Sequence, residues 1–289
     1  MKKIVILGGK GQLGQCFRKI SSDYDDQHEF IFVGSDELDI TDEDAVHGFF
    51  SEQKPQVCIN AAAYTAVDKA EQEPGMASAI NGDAVRYIAE ACKQSDALLI
   101  HISTDYVFDG ETNISYSEDN FTNPQGVYGA TKLQGEEYAL EYHSQSVIIR
   151  TSWLYSEFAK NFVKTMLRLF GEKEEIGVVA DQFGQPTYAV DLAKAIMTII
   201  NAERKVYGVF HFSNYPETTW YHFAQKIAEI TESSIKINSI ATTEFPTPAR
   251  RPMRSTMALD KIEETYGVEL RHWETALEEC LAEIQMETV

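Results

Sequence analysis

The sequence predicts an α/β protein, a doubly wound parallel sheet with a smaller C-terminal α/β lobe. Three observations predict it. The apolar, β-branched run Lys2 to Leu7 leads directly into a glycine-rich turn at residues 8–14. Similar short runs recur at Phe30 to Val33, Val57 to Asn60, Ala97 to Ile102 and Val147 to Arg150. The segments between them are long enough to hold helices, so the series reads as βαβ units whose strands are buried on both faces.

Helices are expected where turn residues precede apolar periodicity: Asp42 to Glu52 after Thr41, Pro74 to about Gln94, and Val127 to about Tyr142. Beyond Arg150 the rhythm loosens. Helices are expected around Phe158 to Phe170, Val190 to Asn201, Thr219 to Ile230 and Arg271 to Ile284, with strands near Ile176 to Val179 and Val206 to Phe212. The connections there are longer and richer in Pro and Thr.

The 289 residues, 44% hydrophobic and 24% charged, suit a globular protein with a sizeable core. Ile4 to Leu7 is too short for a signal peptide or a membrane span. Cys16, Cys58, Cys92 and Cys280 are scattered, which argues against a disulfide framework or zinc site and for a reducing cytoplasm. A net charge of −20 would repel nucleic acid and anionic membranes. Arg250, Arg251 and Arg254 form the densest basic cluster, either a diphosphate contact or a solvated basic loop. The seven histidines, His101 in an apolar strand among them, show no ligand spacing and read as structural or exposed.

Gly8, Gly11 and Gly14, with Lys10, Gln12 and Leu13 between them, follow a buried strand and open a helix. Such spacing allows a tight turn, close approach to a pyrophosphate and presentation of helix N–H groups to it. The first half is therefore expected to be a Rossmann-type NAD(P)-binding domain, residues 1–150. Residues 151–289 are expected to be mainly a substrate lobe, with segments able to return to the first domain.

An acidic residue directly after the second strand would select NAD, but Gly34-Ser35 stands there and Asp36-Glu37 come slightly late. The balance leans to NADP(H), with NADH open. Asp39 and Ile40 would bracket the adenine, or Asp39 would serve as a turn or cap residue. The small residues of Asn60-Ala61-Ala62-Ala63-Tyr64, at the end of the third strand, would let a ribose lie against the backbone.

Tyr128 and Lys132, four residues apart, share one face of a helix. An ammonium there would lower the phenol pKa and fit Tyr128 to protonate a carbonyl oxygen while a hydride reaches the carbon. Spacing alone is common; the order of glycine loop, hydroxyl and Tyr/Lys pair is what carries weight. The hydroxyl belongs to Thr104 or Ser103, which point to opposite sides if the strand persists; Thr104 is the expected one. Asp105 follows, where it could cap a turn, and Trp153 lies near the presumed cleft. Trp220 is expected to be a core aromatic.

Through these motifs the chain resembles the dTDP-4-dehydrorhamnose reductase family of extended short-chain dehydrogenases, almost from end to end. The resemblance is carried by Gln12-Leu13-Gly14, by residues 60–71 (NAAAYTAVDKAE), by Ser103-Thr104-Asp105-Tyr106-Val107-Phe108, and by Val127-Tyr128-Gly129 with Thr131-Lys132. It continues through Arg150-Thr151-Ser152-Trp153, Asn161-Phe162 and residues 181–187 (DQFGQPT). It implies NAD(P)H-dependent reduction of the 4-keto group of dTDP-4-dehydro-β-L-rhamnose, the last step of dTDP-L-rhamnose synthesis. Tyr128 would donate the proton, Lys132 would tune it and hold the nicotinamide ribose, Thr104 and Asp105 would contact the sugar, and Trp153 would form part of the sugar wall; separately, the basic loop makes Arg251 the expected diphosphate contact. Gly8, Lys10, Gly11, Gln12, Leu13, Gly14, Asp39, Ile40, Ala62, Ala63 and Tyr64 would line the cofactor.

Some relatives are expected to dimerise through magnesium held by glutamates; the first helix here carries neutral Gln15 instead. No metal and a monomer or weak homodimer follow. The rival readings are another nucleotide-sugar epimerase or reductase, and a non-catalytic subunit like the regulatory one of methionine adenosyltransferase.

Overall fold

Alternation along β1 (Lys2–Leu7) dictates the layers: Ile4 and Ile6 project into one apolar cluster, Val5 and Leu7 into another, and all four are fully buried. A strand apolar on both sides requires helices on both faces. In the computed structural model, which describes residues 1–286, they are there. α1 (Gln12–Ile20), the helix Ala189–Asn201 and the C-terminal helix Trp273–Met286 cover one face. α2 (Glu43–Gln53) and the helices Ala84–Ser95 and Val127–Tyr142 cover the other.

β1 lies between β2 (His28–Val33) and β3 (Val57–Asn60). β4 (Leu98–Thr104), β5 (Ser146–Thr151) and a sixth strand, Gly208–His211, continue the sheet beyond β3, every pair parallel. The chain thus runs one way from β1 to β2 and the other way from β3 on. The carboxyl ends of β1 and β3 form the switch point where open α/β sheets bind ligands.

The C-terminal half divides between two tasks. Gly208–His211 pairs with β5, from Val147 opposite Gly208 to Arg150 opposite His211, and the helix Ala189–Asn201 packs in the same apolar cluster as α1. The remaining pieces build a smaller body around two-stranded pairs, such as Glu175–Val179 with Lys236–Ile240. The strand Lys236–Ile240 and the helix Asp260–Tyr266 escape prediction because both are short and bury little: the strand is half-exposed, and the helix buries only Ile262 and Tyr266.

Three boundaries differ from expectation for identifiable reasons. Asp42, not Thr41, caps α2 by accepting from the Ala45 N–H; Thr41 is held by Asp39. The helix beginning at Pro74 runs to Ser95 but contains a π turn at Ala79–Asp83. Asn81 in that turn spends its side chain on the Tyr64 backbone and the Thr131 hydroxyl, a bulge of the kind found at functional sites. The helix expected from Phe158 starts at Phe162, because Asn161 caps it and also donates to the Ser156 and Phe158 carbonyls. Among the described residues no helix is long and apolar enough to cross a membrane.

Beneath the sheet's carboxyl edge, Glu136 and Arg150 form a buried two-point ion pair at 2.6–3.1 Å, and Ser103 donates to the same carboxylate. Removing one member strands the other charge away from water. Arg150→Met is expected to cost about 3–5 kcal/mol, read as a lower urea midpoint at unchanged slope. A midpoint equal to that of the parent protein would show the pair to be dispensable.

Candidate active site

A cleft of about 730 Å³ opens at the switch point. Gly8, Lys10 and Gly11 form one wall, Gly34, Ser35, Asp39 and Ile40 another, Ala61 to Ala63 a third, and Met76, Ala79 and Ile80 come from the helix with the π turn. Gly8 has φ +79°, and a Cβ on it would sit 2.8 Å from the Ala61 and Ala62 backbone. Only glycine lets the first turn lie against the end of β3. At Gly14 a Cβ would stand 2.6 Å from the Gly9 Cα, so this glycine sets how closely α1 approaches the loop. α1 has no side-chain cap, which leaves its first N–H groups free for phosphate oxygens. The bare helix end and the glycine cradle both fit a dinucleotide pyrophosphate.

The predicted cofactor residues take unequal places around this cleft. Lys10 reaches Asp36 at 2.5 Å, an exposed pair in which each partner shifts the other towards its charged form. The Asp39 carboxylate accepts from the Thr41 N–H at 2.9 Å and its hydroxyl at 2.7 Å, and these bonds hold it below the usual carboxylate range. Gln12 uses its side chain to tie down the C-terminal half, donating to the Leu154 carbonyl and accepting from Asn161. Leu13 is in the core, so Gln12 and Leu13 have backbone N–H groups to offer a phosphate. Tyr64 does not line the cleft; its phenol donates to Glu73 at 2.8 Å.

Along the same carboxyl edge, next to β4, Tyr128 and Lys132 stack one helical turn apart on Val127–Tyr142. The Thr104 hydroxyl, at the end of β4, donates to the Asp105 carboxylate at 3.0 Å and stands close enough to the Tyr128 phenol to draw its pKa down. Ser103 points to Glu136 instead, as strand alternation requires. Burial pushes the Tyr128 phenol well above its usual range, with Thr104 pulling it partly back. This reverses the expected tuning by Lys132. The Lys132 ammonium donates to the Ile102 carbonyl at 2.6 Å, and desolvation of the phenol outweighs any help from it. Burial lowers Lys132 itself to about 8, against a pull upward from Glu136. Asp105, also buried, is raised by desolvation to about 6, with Ser255 and Thr104 hydroxyls opposing.

The three arginines do not form a cluster. Arg250 pairs with Glu111, Arg254 with Glu217, and Arg251 with Asp68 at 2.8 Å. Arg251 alone points towards the catalytic end, 3.5 Å from the Tyr106 hydroxyl, and the Tyr106 ring meets that of Tyr128 edge-on at 5.6 Å. Trp153 lies half-buried, its ring 3.5 Å from that of Trp220 at 11°. Trp220 is therefore the stacking partner of Trp153 and only half-buried, not a simple core aromatic. Tyr106, Asp68 and Asn81 are site neighbours that residue type and spacing did not single out. Glu43, His47 and Glu90 bring ligand-type atoms within 4.8 Å on the outer helices, a grouping the sequence reading missed; none of the three lines the cleft, and Arg86 stands 3.9 Å from Glu43.

Residues 1–286 match the family model described as the RmlD substrate binding domain. The dTDP-4-dehydrorhamnose reductase of Aggregatibacter actinomycetemcomitans is 40% identical over 98% of this chain and 99% of its own length. The chain belongs to the dTDP-4-dehydrorhamnose reductase family. Among solved structures, the family member from Clostridium acetobutylicum superposes with a TM-score of 0.94 at 41% identity, covering 98% of this chain and 99% of its own. The Bacillus anthracis enzyme, solved in complex with NADP, gives 0.93 at 37% identity over 98% and 99%. In this family member the glycine cradle should be intolerant of a methyl group. Gly14→Ala is expected to weaken NADPH binding at least about tenfold, or about 1.4 kcal/mol, in a fluorescence titration. Unchanged affinity in a folded variant would mean that the loop has room to move.

Proposed function

We propose that this protein reduces the 4-keto group of dTDP-4-dehydro-β-L-rhamnose to give dTDP-β-L-rhamnose, the last step of dTDP-L-rhamnose biosynthesis. The observation that carries the reading is the placement of Tyr128 and Lys132, one helical turn apart, beside Thr104 at the sheet edge that also carries a dinucleotide-type cleft. A bound nicotinamide cofactor supplies the hydride. NADPH is preferred: no carboxylate directly follows β2, Ser35 lines the cleft, and Lys10 stands at its edge as a cation for a 2′-phosphate. NADH remains compatible with the same cleft.

Each residue has a task that its surroundings support. Burial keeps Tyr128 protonated at neutral pH, the form needed to donate a proton to the sugar oxygen as the carbonyl is reduced. Thr104 donates a hydrogen bond to the same developing alkoxide. Lys132 holds the ribose next to the nicotinamide. Asp105 and Trp153 contact the sugar, and Arg251 contacts the diphosphate. The intact Tyr128/Lys132 pair lends no support to a purely regulatory subunit.

Other parts of the reading rest on smaller observations. The Gln15 amide donates to the Lys10 carbonyl, and its neutral side chain supports a monomer or weak dimer without a bridging metal. Four free, buried thiols suit a reducing cytoplasm.

Oxidation of NADPH, followed at the nicotinamide absorbance with enzymatically generated dTDP-4-dehydrorhamnose, tests the activity; silence from folded protein with either cofactor would sink it. Tyr128→Phe should lower kcat by about 10²–10⁴ with cofactor binding kept. Arg251→Ala should raise the substrate KM about tenfold or more with a smaller change in kcat, since it removes a charge-assisted contact. An unchanged KM would remove Arg251 from the substrate site.

A further inference from the structure

The catalytic helix meets the sheet through a buried polar chain that the mechanism above does not use. Asn60 and His101 are register partners on β3 and β4. Asn60 Nδ2 lies 3.1 Å from His101 Nδ1, and His101 Nε2 lies 3.4 Å from Lys132 Nζ. All three side chains are buried.

The direction of these bonds is set at the Asn60 end. The Ala62 backbone N–H can only donate, and it donates to Asn60 Oδ1 at 3.2 Å. That fixes the amide so that its NH₂ group faces the imidazole, and His101 Nδ1 must accept. A neutral ring then carries its proton on Nε2, pointing at Lys132. An N–H opposite an ammonium repels it; opposite a neutral amine it finds an acceptor. We propose that His101, in the tautomer imposed by Asn60, is a positioning residue that governs how firmly Lys132 holds its proton. The inference rests on the catalytic reading of Lys132 given above.

Other charges around Lys132 do not replace this control. Glu136 favours the ammonium from one turn along the helix, but it is tied to Arg150 of β5. Tyr128, one turn back, is held neutral by burial. Cys58 of β3 and Cys92 of the helix Ala84–Ser95 lie farther along the same sheet face, where burial keeps the Cys92 thiol uncharged. His101 is itself kept neutral, by burial and by Lys132.

The test reverses the tautomer with an isosteric change. In Asn60→Asp the carboxylate can accept from both Ala62 N–H and His101, so the ring proton moves to Nδ1 and Nε2 becomes an acceptor for the ammonium. Lys132 should hold its proton more firmly. Because the ammonium is the working form, activity lost as pH rises should be lost later. The alkaline limb of kcat/KM for NADPH is expected to move up by about one pH unit, a tenfold change in proton affinity. Nitrogen NMR of His101 should show the proton on Nε2 in the parent protein and on Nδ1 in the variant.

His101→Leu provides the control. In its background Asn60→Asp should shift the limb far less, because the relay through the ring is gone. A limb that does not move in folded Asn60→Asp, or a shift equally large without the imidazole, would overturn the proposal. If His101→Leu does not fold, the Asn60→Asp profile and the NMR tautomer decide alone. Lys132→Met separates this from the catalytic reading. Near-normal turnover there would sink the role of Lys132 itself, whereas a dead Lys132→Met with an unmoved limb in Asn60→Asp would sink only the role of His101.

Discussion

The seating of the helix Val127–Tyr142 on β4 is the constraint from which the rest of the site follows. Two residues of a strand rise about 6.6–6.8 Å and four residues of a helix about 6 Å, so two rungs can match before the elements drift apart. Here the rungs are His101 to Lys132 and Ser103 to Glu136. Gly129 and Gly135 let the same helix close on the turn after β4 and on the π turn. A Cβ at Gly129 would run into the Tyr106 carbonyl, and one at Gly135 into that of Asn81. With the helix held this way, Tyr128 falls beside Thr104 at the sheet's carboxyl edge, and Asn81 can join the helix to the end of β3 through Thr131 and Tyr64.

How much of this was legible in the sequence depended on how much each element buries. The six-residue run Lys2–Leu7 and the helix Val127–Tyr142 match their predicted bounds, the strand because burial on both faces leaves an unbroken apolar run that ends at the glycine loop, the helix because Gly126 and His143 flank it in extended conformation. The strand Lys236–Ile240 has no such pattern, being half-exposed. Site geometry was legible where periodicity applies: alternation alone separates Ser103 from Thr104. It was illegible where the environment decides. The spacing of Tyr128 and Lys132 suggested an ammonium lowering a phenol, but spacing says nothing of desolvation, which here is the larger effect and has the opposite sign. Likewise three arginines within five residues suggested one cationic cluster. Each meets a different carboxylate, distant in sequence, that no local reading could supply.

The proposed substrate side, around Trp153, is built with more strain than the cofactor side. Trp153 has φ +45°, a left-handed backbone that costs a bulky residue on the order of 1–3 kcal/mol. It is kept there by its stack on Trp220, by Phe162 against Trp220 at 4.6 Å, and by Gly184, where a Cβ would come within 2.6 Å of the indole. The Ser152 hydroxyl donates to the Gln185 carbonyl at 2.7 Å, fixing the turn from the preceding residue. A ring so braced presents a rigid apolar wall whose ordering entropy is spent before a ligand arrives, the condition for precise placement of a flat sugar face.

Charge adds a further layer. A chain of net charge −20 must bind phosphates against its own field, and two cations near the site, Lys10 and Arg251, are already paired. Lys10 holds Asp36, and Arg251 holds Asp68. Such partly or wholly exposed pairs contribute little to stability, so giving up the carboxylate for a phosphate costs little. Until then the carboxylates keep the long side chains extended towards the places where anions would sit. The uncapped end of α1 works differently, since its N–H groups are fixed by the helix and need no exchange. In the proposed complex the backbone would supply a constant attraction for the pyrophosphate, while the exchangeable pairs would confine the stronger cationic contacts to ligands whose phosphates reach Lys10 or Arg251.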